Sequence, residues 1–101
     1  MTYRITYRDG EHRVETFATG GWHALPIDGR ALAASLEIQL QPDEVRELSD
    51  REALGAIQDQ LELERYEFER DRSQRAAICA LLREHASKLR QRMRRCTAKA
   101  S

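Results

Sequence analysis

The first eighteen residues alternate apolar and polar side chains on either side of Asp9-Gly10. Tyr3, Ile5 and Tyr7 recur at a spacing of two before that dipeptide, and His12, Val14 and Thr16 after it. A period of two is the signature of a strand with one buried face. Asp-Gly tolerates the positive φ that a two-residue type I′ turn needs at both centres. The pattern therefore predicts a hairpin with Arg8 opposite Glu11, Tyr7 opposite His12, Ile5 opposite Val14, Arg4 opposite Glu15 and Tyr3 opposite Thr16. One face then carries Tyr3, Ile5, Tyr7, His12, Val14 and Thr16. The other carries two opposite-charge pairs, Arg4–Glu15 and Arg8–Glu11. Turn chemistry, hydrophobic pattern and charge pattern agree on one register.

Thr19-Gly20-Gly21 breaks the pattern, and residues 22–27 read as a third strand that Pro26 confines to an edge or an end. Asp28-Gly29 repeats the hairpin signal. From Leu32 the alternation Leu32, Ala34, Leu36, Ile38, Leu40 predicts another strand with one buried face. Ala and Leu in residues 30–37 also suit a helix, but Leu36-Glu37-Ile38-Gln39-Leu40 decides for the strand. A hairpin cannot bury its own apolar face, so helices are expected across it.

Gln41-Pro42 opens that helical part, with Pro42 suited to a first turn and Asp43 and Glu44 complementing the helix dipole. Ser49-Asp50-Arg51-Glu52 is a capping box, at which a helix starts or restarts. From residue 51 to 96 there is no proline and one glycine, Gly55. One unbroken helix of that length would run about 68 Å. It must fold back as a helical hairpin or extend and pair with another chain. Leu54, Ile57, Leu61 and Phe68, then Cys79, Leu82, Ala86, Leu89 and Met93, keep near-heptad spacing and are the expected dimer or helix-packing interface. Residues 67–75 between them are mostly charged and form a turn or a solvated waist, with Asp71 or Ser73 as a cap. The expected fold is α+β: an N-terminal antiparallel β-hairpin or meander followed by long amphipathic α-helices. It is one domain over 1–101, β-rich over 1–40 and helical over 42–96, with a tail at 97–101 that frays. The apolar stripe is thin for a lone hairpin and has His85 near its middle, which favours a homodimer.

Seventeen basic and seventeen acidic residues cancel, but not locally. Residues 1–48 hold five Arg against eight Asp and Glu, a balance of −3, and residues 49–73 hold four Arg against eight acids, a balance of −4. Residues 74–101 hold six Arg and two Lys against Glu84 alone, a balance of +7. Such a division points to an acidic partner or nucleic acid, or to self-neutralisation. The second is the expectation here: Glu62, Glu64, Glu67, Glu69 and Asp71 answer the arginine-rich segment, within the chain or across a dimer. Flanking charges of this kind set orientation and partner choice.

Chemistry-bearing motifs are sparse. Cys79 and Cys96 match no zinc spacing and read as buried thiols. His12, His23 and His85 form no metal-binding pair, with His12 packing against Tyr7. The chain carries neither a G-x-S-x-G elbow nor a phosphate-binding glycine loop. No catalytic residue, metal or cofactor is expected. The basic helix is the serious candidate: Lys88, Arg92, Arg95 and Lys99 share one face, and Arg83, Arg90 and Arg94 another. Trp22 reads as a cap on the core, with an exposed binding anchor as its alternative. Trp22, Arg83, Lys88, Arg90, Arg92, Arg94 and Arg95 are thus the candidate contacts to a partner protein or nucleic acid. No stretch approaches the ~20 apolar residues that span a bilayer, and the N-terminus lacks an apolar signal core. A cytoplasmic chain with no membrane role is expected. Its small size and its preference for Arg over Lys, 15 to 2, suit a bacterial or phage protein. The expected function is a non-catalytic regulator that binds another protein as a homodimer, in the manner of an antiactivator or inhibitor. A nucleic-acid-binding regulator using the basic helix is the runner-up.

Overall fold

Asp9 and Gly10 have φ of 53° and 77°, the two positive values that a type I′ turn requires. They join β1 (Tyr3–Arg8) to β2 (Glu11–Ala18) in the register expected from the sequence, from Arg8 opposite Glu11 to Tyr3 opposite Thr16. A computed structural model of the chain describes residues 2–67 and 69–100, the last four as backbone alone. After a Thr19-Gly20 turn, β3 (Gly21–Ala24) pairs antiparallel with β2. β4 (Val45–Glu47) pairs antiparallel with β1 and completes a sheet of order β3-β2-β1-β4. Helices α2 (Asp50–Glu64) and α3 (Arg72–Ala100) follow, so the fold is α+β. The chain divides into two compact units, Met1–Ala53 and Leu54–Ser101.

In the first unit, Tyr3, Ile5, Val14, Thr16 and Leu48 are buried on the sheet face that the alternation assigned to the core. Tyr7 and His12 meet there with ring centroids 4.6 Å apart. Between β3 and β4 the structure corrects the sequence reading. Residues 32–40 are not a strand; α1 (Gly29–Ser35) occupies their first half. Asp28-Gly29 is a helix start rather than a hairpin turn: the Asp28 side chain accepts the Ala31 N–H at 3.1 Å. Gly29 is present for closeness, since a Cβ there would lie 2.6 Å from the His12 carbonyl oxygen on β2. At the other end of α1, Ile38 N–H donates to Ala33 O and Glu37 N–H to Ala34 O, a Schellman closure with Glu37 at φ 56°. That position usually holds glycine, so no stop signal is legible there.

Pro42 begins no helix either. Residues 41–44 form a turn in which Asp43, at φ 65°, donates its N–H to Tyr7 O at 2.7 Å. This hands the chain to β4. The capping box at Ser49 forms as expected: Ser49 N–H donates to Glu52 Oε1 at 2.9 Å, and Glu52 N–H to Ser49 Oγ at 3.1 Å. The Ser49 backbone N–H, then the Arg46 guanidinium at 3.0 Å, holds the Glu52 carboxyl below the usual carboxylate range.

The long helical run breaks at residues 65–71. Arg65 and Tyr66 close α2 with bonds to Glu62 O and Leu63 O. A second capping box opens α3: Gln74 N–H donates to Asp71 Oδ1 at 2.7 Å, and Asp71 N–H to Gln74 Oε1 at 3.3 Å. Gln58 and Leu61 of α2 and Arg65 just after it line one groove with Arg75, Cys79 and Arg83 of α3, so the two helices lie side by side there. Of the expected packing residues, Ile57, Leu82, Ala86 and Leu89 are buried, whereas Leu54, Leu61, Cys79 and Met93 are only half-buried. Phe68 lies outside the described residues. The buried line on α2 is rotated by about a residue from the apolar stripe, onto Ala53, Ala56, Ile57, Gln60 and Glu64. The Gln60–Glu64 hydrogen bond of 3.0 Å lets two polar side chains share the buried line. The backbone is helical to Ala100, past the Cys96 end point and through most of the segment expected to fray.

Two outcomes follow from these caps and contacts. Alanine usually stabilises a helix relative to glycine by about 1 kcal/mol. Gly29→Ala is instead expected to lower stability by about 1–3 kcal/mol in urea unfolding, because its Cβ meets rigid backbone. The lowered Glu52 carboxyl stabilises the folded state fully above the ordinary carboxylate value and loses that contribution as pH falls through its folded value. The melting-temperature difference between the wild type and Glu52→Gln is therefore expected at neutral pH and to vanish in acid.

Candidate functional site

On α3, Arg83, Arg90 and Arg94 fall within about 40° of one another around the axis and extend over about 16 Å. All three are exposed. Lys88 and Arg95 are exposed on the opposite flank, where Arg92 is half-buried. Between the flanks Leu89 is buried and Met93 half-buried, which fixes the rotation of the helix and turns the cations outward. Lys88 pairs with Glu84 one turn earlier at 3.1 Å, with both side chains exposed. Arg83, Arg90, Arg94 and Arg95 make no ion pair among the described residues. Lys99 has no described side chain. Burial, then the nearby Lys88, pushes the His85 imidazole below its ordinary value, with Glu84 opposing.

The expected answering carboxylates lie elsewhere. The chain reverses at 65–71, so the run from Glu62 to Asp71 ends up beside the first turns of α3 rather than its arginine-dense end. Glu62 pairs with Arg65 at 3.5 Å, Glu64 with Arg70 at 3.0 Å, and Arg75 donates to the Glu67 carbonyl. Self-neutralisation thus takes place around the turn, and four arginines farther along are left out of it.

A second feature is the outer face of the sheet, buried at Thr6, largely covered at Arg4 and Glu15, and exposed at its edges. Trp22 does not cap the core; its pairing with Phe17 places it on the face opposite Ile5 and Val14. The Arg4 guanidinium lies 3.9 Å from the centre of its ring, and Phe17 meets it edge-on at 5.4 Å. Arg4 also holds Glu15 at 2.8 Å, the cross-strand pair read from the sequence. Glu11 bonds Arg13 at 3.2 Å rather than its cross-strand neighbour Arg8. Phe17 and Val45 on this face are 54% and 41% exposed. The sequence reading missed Phe17, although it continues the alternation that set Glu15 on the outer face.

Both cysteines are free thiols, Cys79 half-buried and Cys96 exposed, and so neither is the buried thiol expected. His23 contacts the Thr19 carbonyl through Nε2 at 3.1 Å. Among the described residues no group of three or more His, Cys, Asp or Glu is placed to hold a metal ion. No helix among them is long and apolar enough to cross a membrane. No protein-family model, curated protein or solved structure matches the chain.

Proposed function

We propose that the chain is a non-catalytic regulator that binds nucleic acid through α3. The observation that carries this reading is the exposed stripe of Arg83, Arg90 and Arg94, with Arg95 on the opposite flank, unpaired by any carboxylate among the described residues. Guanidinium groups bind phosphates bidentately and release condensed counterions. Residues 1–73 carry a balance of −7 and are repelled by a polyanion, which confines contact to the basic helix. Anisotropy of a labelled duplex of about 20 base pairs is expected to show binding that weakens with salt, with a log–log slope near −4 for four phosphate contacts. Changing Arg90, Arg94 and Arg95 together to Gln should flatten that slope by about 3. Absence of binding at low salt, or an unchanged slope in the variant, overturns the proposal.

A second reading, a protein-directed regulator acting as a homodimer, is favoured by the outer sheet face. Arg4, Arg8 and Arg13 there balance Glu11, Glu15 and Glu47 around the Phe17–Trp22 pair. An equal mix of both signs around an aromatic centre is self-complementary across a two-fold axis and does not favour a polyanion. Light scattering at about 50 µM, a level that detects micromolar association, should give twice the 11.7 kDa chain mass. Trp22→Ala should return it to one. A monomeric wild type removes this reading and leaves the first untouched.

A further inference from the structure

On the core face of the sheet Ile5 and Val14 are sealed, at 0% and 1% exposed, but Tyr7 and His12, the next pair toward the hairpin turn, are only half-buried. Both line a groove of about 430 Å³, within the range of small-molecule sites. Ala33 of α1, with Ile38 and Leu40 after it, adds apolar lining, and Arg30, Gln39 and Gln41 add polar lining. All of these residues belong to the first compact unit. Two backbone contacts frame the groove. At one end Gly29 lies so close to β2 that a Cβ would stand 2.6 Å from the His12 carbonyl oxygen. At the other, Asp43 donates its N–H to Tyr7 O at 2.7 Å. Between these anchors α1 closes at Leu36, and the chain turns through left-handed Glu37 without sealing the two rings. Backbone rather than mobile side chains sets the shape, which lowers the ordering cost of taking up a ligand.

The chemistry of the lining selects the ligand. Arg30 is its only Lys, Arg, Asp or Glu, is exposed, and makes no ion pair among the described residues. The Tyr7 hydroxyl and the side-chain amides of Gln39 and Gln41 likewise have no hydrogen-bond partner among those residues. The Tyr7 and His12 rings, tilted at 58° to each other, present an aromatic surface. We infer that this groove binds a small aromatic carboxylate, with the carboxylate on Arg30 and the ring against Tyr7 and His12. An aliphatic anion loses the ring contacts, a neutral ring leaves the guanidinium without a counter-charge, and a cation is repelled by it. The site uses no residue of α3 and lies on the sheet face opposite Trp22. Its failure therefore leaves both functional readings untouched, and theirs leaves it untouched.

Backbone amide shifts of the isotope-labelled full chain provide the assay. The probes are naphthoate, its neutral amide naphthamide and its saturated analogue decahydronaphthoate. Naphthoate is expected to shift the Ala33, Ala34 and Leu40 amides saturably, with a Kd below about 1 mM, and to leave Trp22 and Arg94 unmoved. Naphthamide and decahydronaphthoate are each expected to bind about tenfold more weakly. Arg30→Gln should weaken naphthoate about tenfold and leave naphthamide unchanged. Ala34→Phe, at an exposed position of the lining, should block both. Should a variant fail to fold, the comparison of the three probes on the wild type decides alone. Absence of saturable shifts in the groove below about 1 mM naphthoate overturns the inference, as does either analogue binding as tightly as naphthoate.

Discussion

Residues 51–96 contain no proline and only one glycine, so backbone chemistry alone would let a helix pass through the charged middle of that run. What stops it is a pair of side chains. Asp71 and Gln74 satisfy each other's backbone N–H groups and make residue 72 the start of a new helix. The position of that cap determines which charges meet. The break at 65–71 leaves Gln58, Leu61, Glu62, Glu64 and Arg65 in one groove with Arg75, Cys79 and Arg83. The carboxylates clustered at the reversal therefore reach only the arginines next to it. The functional reading depends on that single register.

Burial on the α2 side of the hairpin is unusual in kind. The inward line includes Gln60 and Glu64 as well as alanines and Ile57. An ionised carboxylate held away from water is costly unless paired. Glu64 is kept by Arg70, a residue of the turn itself, so the ion pair joins the end of α2 to the connection that follows. Removing one partner would leave the other charge unmatched, which is the expensive case. The pair thus ties the reversal to the helix it leaves, and the turn carries both the cap of α3 and the counter-ion of α2.

The legible parts of this fold were those set by local chemistry with a short reach. Asp9-Gly10 fixed a register that then placed Ile5, Val14, Arg4 and Glu15 correctly. Ser49–Glu52 marked a helix start for the same reason. The α1 segment was misread because its two ends use atypical signals. Gly29 is required by the approach of His12 backbone from β2, a tertiary demand that imitates a turn glycine. Glu37 adopts the left-handed conformation without being glycine. Leu36-Glu37-Ile38-Gln39-Leu40 alternates by coincidence: its first residue caps a helix, and the rest leads into the turn before β4. Trp22 was misplaced because alternation in a four-residue strand does not say which face is inside; the pairing with β2 does.

Net charge was the least informative number in the sequence. A balance of zero describes the electrostatics only where opposite charges lie within reach of each other. At physiological ionic strength that reach is about 8 Å. Glu62 shares its groove with Arg75, Cys79 and Arg83. Arg90 lies seven residues past Arg83, about 10 Å by helical rise. The interaction between exposed charges at that separation is largely screened, so the carboxylates of the turn do not cancel the field of the C-terminal arginines. Whatever approaches α3 from solvent meets the local excess rather than the molecular average. A phosphate backbone that follows the Arg83–Arg94 flank remains within a Debye length of those guanidinium groups and beyond that distance from the acidic turn for most of its path.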